Sequence, residues 1–146
     1  MVIDCIDWHE EPAYEFELEY KNAGTHIGMF ISWLIINDLV SDWMKEDFAD
    51  EIKLVLNRQM TGLELLLVAE GILREDYISE DALPFVEAYY SNDIDFSRSY
   101  QNDYEKILTN NLTSFYHVAD SWENYELLAP ALEEAYQIWA EKSSDS

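Results

Sequence analysis

Positive charge is scarce in this chain. Eight Lys plus Arg stand against 31 Asp plus Glu, a formal net charge of −23 over 146 residues. Recognition of nucleic acid and of anionic lipid relies on Lys and Arg, so direct binding to either is disfavoured. Cysteine is nearly absent: Cys5 stands alone, which excludes an intramolecular disulfide and a paired-cysteine metal site. Four glycines leave little material for a phosphate-cradling loop. No Gly-rich phosphate motif, glycine-flanked nucleophile serine or helical two-histidine zinc spacing is present, so no cofactor and no metal is expected. Long apolar runs are missing too, none approaching the roughly 20 residues of a membrane span. Met1–Asp7 carries acid where a secretory signal needs basic residues and a longer apolar run, so the expected location is the cytoplasm, which a single cysteine also fits.

What is present is core-forming material. Hydrophobic residues make up 49% and aromatics 14%, which argues against the disorder that strong charge otherwise suggests. The length fits one domain over 1–142 with a polar tail at 143–146. The acidity itself has two readings, plain solubility or attraction to a basic partner.

One stretch organises the rest. Residues 25–40 put Ile27, Phe30, Ile31, Leu34 and Ile35 on one helical face, while Met29, Trp33, Ile36 and Val40 cover much of the remainder. A helix apolar nearly all round is a buried helix. Asn22 or Thr25 is placed to cap it, and Gly28 inside it implies close approach of another backbone or an aromatic ring. The expected fold is mainly α, a bundle of about six helices around this buried one.

Before it, Tyr14, Phe16, Leu18 and Tyr20 alternate with Glu15, Glu17 and Glu19 in the period of a half-buried strand, with Val2-Ile3 and Cys5-Ile6 as a partner. A small N-terminal β-hairpin is one reading and an extended arm pinned by aromatics is the other. After it, a second helix is expected from about Ser41 or Glu46 to Gln59, carrying Phe48, Ile52, Val55 and Leu56. Thr61 and Glu64 form a capping box for a third that Gly71 ends, and Ser79 starts a fourth with Pro84 in its first turn. Tyr100, Tyr104, Ile107 and Leu108 mark a fifth. Trp122, Tyr125 and Leu128 begin a segment that Pro130 is expected to kink or break, with Leu132, Tyr136 and Trp139 in a last helix beyond it.

Candidate chemistry rests on three histidines. His117 and Asp120 stand three apart, the spacing of a base with its orienting carboxylate; the alternative is a histidine bonded to a cap. His26 opens the buried helix, where a backbone carbonyl would satisfy its ring, and His9 beside Glu10 and Glu11 offers a metal half-site or a solvated acidic turn. Cys5 reads as a small apolar residue, and the five tryptophans as core before ligand pocket. Two acidic groups, Glu15, Glu17 and Glu19, and Glu46, Asp47, Asp50 and Glu51, would dock against Lys and Arg of a basic protein or serve simply as solvated faces.

Thr25-His26-Ile27-Gly28-Met29-Phe30 with Trp33, then Asp103-Tyr104, then Tyr116-His117-Val118-Ala119-Asp120-Ser121-Trp122-Glu123-Asn124-Tyr125 resemble a family of small bacterial proteins of unknown function built on a Thr-His-Ile-Gly-Met-Phe helix. The resemblance runs from about Trp8-His9 to Trp139 and departs in the first 20 residues, where the alternating glutamates replace a shorter Pro-containing segment. It implies a bacterial, cytoplasmic, mainly helical domain in which His26, Trp33, His117, Asp120 and Trp122 belong to one site. In size and acidity the chain also resembles immunity proteins that neutralise antibacterial toxins. The expected function is a non-enzymatic acidic binding protein that occludes the active site of a basic toxin. A small hydrolase or metal-binding enzyme with a His/Asp site is the alternative, and a structural oligomer such as a homodimer the third.

Overall fold

The computed structural model describes residues 2–93 and 96–144. Among them the order is β1 (Val2–Cys5), α1 (Glu10–Tyr14), α2 (Thr25–Ile36), α3 (Asp42–Asp47), α4 (Ala49–Leu56), α5 (Gly62–Val68), β2 (Ile72–Arg74), α6 (Leu83–Tyr89), α7 (Tyr100–Leu108) and α8 (Trp122–Ser144). Short 3-10 turns cover Ile6–His9, Tyr20–Gly24, Glu75–Tyr77 and Phe115–His117. The protein is mainly helical with one small antiparallel sheet.

The all-round apolar stretch becomes the centre, as expected. Every residue from Thr25 to Ile35 in α2 is buried, and the core around it draws on residues of α3 to α8. Gly28 is explained by α5. A Cβ on Gly62 would lie 1.9 Å from the Gly28 carbonyl oxygen, and one on Gly28 would lie 2.4 Å from the Leu63 nitrogen, so the two backbones touch directly. Ser32 locks the contact: its hydroxyl donates to the Gly28 carbonyl at 3.0 Å and accepts from the Gly62 N–H at 3.1 Å.

Several local expectations are corrected. Helix α2 ends at Ile36, short of Val40, which leaves the helix to form an isolated bridge with Ile78. Its N-cap is Gly24 with no side-chain bond, while Asn22 instead closes a capping box with Glu19 on the preceding 3-10 turn. The expected helix at 41–59 is two, α3 and α4, meeting at Phe48. Strand β1 does form, but its partner is β2, brought back from after α5, with Cys5 opposite Ile72 and Asp4 opposite Leu73. Tyr14–Tyr20 is not a strand: Tyr14 closes α1, Glu17 adopts a positive φ of 61°, and the chain turns. Pro130 lies inside the continuous helix α8. The expected tail at 143–146 is helical to Ser144, and Asp145 and Ser146 lie outside the described residues.

The expected capping box of Thr61 and Glu64 forms, whereas the helix expected to start at Ser79 begins at Leu83 with Ala82 at its N-cap. Thr61 Oγ1 accepts from the Glu64 N–H while Glu64 accepts from that of Thr61, and Pro84 occupies the first turn of α6. No helix among the described residues is long and apolar enough to cross a membrane.

Candidate functional site

An aspartate stands in the apolar run Val2-Ile3-Asp4-Cys5-Ile6, and the structure buries it. Strand pairing with β2 fixes its position, and the 3-10 turn Ile6–His9 then carries the chain back so that His9 Nε2 lies 2.8 Å from Asp4 Oδ1. The first turn of α2 places His26 Nε2 3.3 Å from Asp4 Oδ2. That approach lacks hydrogen-bond alignment, so the buried Nε2 has no hydrogen-bond partner. The Cys5 backbone N–H donates to Oδ1 at 2.8 Å and the Tyr90 hydroxyl, just beyond α6, donates to Oδ2 at 2.5 Å.

A second layer fixes the imidazoles. Tyr116, on the 3-10 turn before α8, has its hydroxyl 2.7 Å from His9 Nδ1. The rings of His9 and His26 meet edge to face at 4.5 Å between centroids, and Phe115 packs on His26 at 4.9 Å. Tyr100 of α7 donates to the His26 carbonyl at 2.5 Å. A cleft of about 310 Å³ opens here, lined by the Asp4, His9 and His26 side chains together with Tyr90, Tyr100, Gln101, Glu105, Phe115 and Tyr116. A second, of about 510 Å³, shares Asp4, His9 and Tyr90 and runs toward Trp8, Glu87 and Asp93.

The electrostatics sort the roles. Burial opposes ionisation of Asp4, but the contacts and charges of His26 and His9 outweigh it and hold the carboxyl well below the usual carboxylate range. Burial pushes the His26 imidazole below its ordinary value despite that carboxylate, so at neutral pH an anionic Asp4 faces a neutral His26. Burial raises the Cys5 thiol, which disfavours its nucleophilic thiolate form. The Tyr90 hydroxyl is held protonated by burial and by the Asp4 charge, which keeps it a donor.

The sequence-derived residues divide. His26 is in the cluster. His117 and Asp120 are not joined to it by any hydrogen bond among the described residues: His117 Nδ1 is 2.7 Å from Ser114 Oγ with its ring edge-on to Phe16, and Asp120 Oδ2 accepts from Thr61 Oγ1 at 2.7 Å. Burial raises the Asp120 carboxyl, partly offset by that bond. Trp33 is core, its Nε1 donating to Glu133 at 3.1 Å, and Trp122 lies 4.7 Å under the Arg58 guanidinium. Glu15, Glu17 and Glu19 are exposed after α1; Glu46 and Asp47 end α3 and Asp50 and Glu51 begin α4, all exposed except the half-buried Glu51. Sequence reasoning missed Asp4 and undervalued His9. The available signal was an acid inside an apolar run, five residues before a histidine.

A family model described as a domain of unknown function, DUF7832, matches residues 2–118. The chain belongs to that family. Asp4, His9, His26, Tyr90 and Tyr116 all fall within the matched span, whereas Asp120 and Trp122 lie beyond it. No curated protein and no solved structure matches the chain.

Proposed function

We propose that the protein is a small hydrolase acting in the cleft where Asp4, His9 and His26 meet. One observation carries the reading: the half-buried His9 ring is clamped between Asp4 Oδ1 at 2.8 Å and the Tyr116 hydroxyl at 2.7 Å at a cleft wall. A carboxylate that orients an imidazole is the arrangement of a general base. With Nε2–H donated to Asp4, Nδ1 is the basic nitrogen. Tyr116 gives its proton to Nδ1 and takes one from a cleft water, whose oxygen bonds to the substrate carbonyl carbon; the leaving group departs with the proton returned from His9. The cleft has the volume of a small-molecule site. Its aromatic walls suit a flat or apolar acyl group, and the absence of Lys and Arg from its lining disfavours anionic esters.

The test is turnover of a panel of chromogenic carboxylic esters and amides by wild type and His9→Ala. Loss of a general base predicts a fall of about 100-fold or more, with the melting temperature of the variant recorded as a folding control. No turnover across the panel, or wild-type rates in a folded His9→Ala, would sink the reading.

A second reading is favoured by a different surface. Trp8, Tyr14 and Phe16 are 60%, 50% and 41% exposed beside Asp7, Glu10, Glu11, Glu15, Glu17 and Glu19. Aromatic anchors within an acidic rim fit a basic protein, as in an immunity protein covering a cytoplasmic toxin, with charge setting the encounter rate. Co-purification of a basic protein encoded beside this one, with an association rate that falls as salt rises, supports it. Recovery of no partner abandons it.

A further inference from the structure

We infer that Asp4, His9 and His26 form a binding site for one divalent transition-metal ion. Their three donor atoms lie within 4.8 Å of one another, and His26 and Asp4 are buried. Two imidazole nitrogens and one carboxylate are a donor set suited to zinc, cobalt or ferrous ions, whereas calcium and magnesium prefer oxygen alone. Ligands around a tetrahedral ion at about 2.0–2.2 Å stand on the order of 3.3 Å apart. The His26 Nε2 to Asp4 Oδ2 separation is 3.3 Å.

His26 Nε2 supplies an independent observation. It is a buried polar atom 3.3 Å from the carboxylate, yet it makes no hydrogen bond. A buried polar atom left unsatisfied is destabilising, and a metal ion between it and Asp4 removes that deficit. The outer groups that metal sites need are already in place. Tyr116 stands at the far nitrogen of His9, and the Tyr90 hydroxyl and Cys5 N–H hold the carboxylate oxygens. In the metal-bound form the His9 proton resides on Nδ1, donated to the Tyr116 oxygen, and Nε2 presents its lone pair to the ion. The 310 Å³ cleft that Tyr90, Phe115 and Tyr116 line is also bordered by Asp4, His9 and His26, leaving room beside the three donors for water or a further ligand. A net charge of −23 further concentrates cations around the chain.

The inference shares its residues with the hydrolytic reading but stands separately from it: metal would take over the activation of water if both hold. The experiment is calorimetric titration of chelator-treated protein with Zn(II), alongside the visible absorption spectrum with Co(II). One equivalent is expected to bind, with the intense visible bands of a low-coordinate Co(II) site. His9→Ala should weaken binding by at least about 100-fold, and Tyr116→Phe, which touches no ion, by about 10-fold or more as an outer-shell change. Circular dichroism confirms that both variants fold; because His9 and Tyr116 are only half-buried, the test does not depend on variants of the buried His26. Absence of stoichiometric binding overturns the inference, as does weak multi-site binding unchanged in His9→Ala, the signature of an acidic surface alone. Site-specific binding without any hydrolysis leaves the metal site standing and removes only the hydrolytic reading. Hydrolysis that survives chelation with no Zn(II) binding does the reverse.

Discussion

His26 Nε2 stands 3.3 Å from Asp4 Oδ2 without hydrogen-bond alignment, although both groups are buried. Asp4 is instead held by the Tyr90 hydroxyl, the Cys5 N–H and His9. Replacing it with Asn keeps the shape and removes the charge, and the new amide hydrogens face a tyrosine that already donates. We expect Asp4→Asn to lose about 3 kcal/mol in urea unfolding, the scale of breaking a buried charged network. A variant as stable as wild type would mean that the carboxylate adds nothing to the fold in the metal-free protein.

The contact between α2 and α5 gives a sharper expectation. A Cβ at Gly62 would fall 1.9 Å from the Gly28 carbonyl oxygen and 2.3 Å from Ser32 Oγ, and backbone cannot step aside as a flexible side chain can. Gly62→Ala should therefore destabilise by roughly 3 kcal/mol or more, at the top of the overpacking range, despite the higher helix propensity of Ala. Ser32→Ala should cost about 1–3 kcal/mol by leaving the buried Gly62 N–H without its acceptor. Thermal melts of the two variants measure both effects, and a Gly62→Ala melt at or above wild type refutes the close approach.

The central helix was legible because its pattern is local: apolar residues on every face leave burial as the only solution. Thr61 with Glu64, and Tyr100 with Tyr104, were legible for the same reason. Gly28 even announced a close approach, although only the structure shows that the partner is the backbone at Gly62-Leu63. The site was not legible beyond His26. Asp4, His9 and Tyr116 come from a strand and two 3-10 turns, and Tyr116 reaches His9 from 107 residues further along the chain, which no local periodicity encodes. The pairing of His117 with Asp120 failed because Val118, extended at φ −66° and ψ 128°, separates them instead of continuing a helix. At Tyr14–Tyr20 a helix end followed by a turn reproduced the spacing of a strand by coincidence of period.

Pro130 shows tertiary packing overriding propensity. Helix α8 runs through it with Tyr125, Leu128, Leu132 and Ala135 buried on the core side and Pro130 exposed. The proline leaves the Glu126 carbonyl without its usual helical donor, and an interior proline costs about 3 kcal/mol relative to alanine. Pro130→Ala should raise the melting temperature by several degrees. A lower melting temperature would show that a bend at this position is part of how α8 meets the core.

Tyrosines set the alkaline limit of the fold. Burial first, then a hydrogen bond to Asp7, pushes Tyr20 up to about 12, and burial foremost also raises Tyr89, Tyr100, Tyr104 and Tyr125. Their folded values exceed the unfolded value of about 10, so above that pH the unfolded chain releases protons that the folded chain keeps. The stability they contribute is complete below pH about 10 and is lost as pH rises toward and beyond the folded values. A titration following tyrosinate absorbance and circular dichroism together should therefore show the buried Tyr89, Tyr100, Tyr104 and Tyr125 ionising along with unfolding. Full tyrosinate absorbance developing near pH 10 while the helical signal persists would contradict the burial of these side chains.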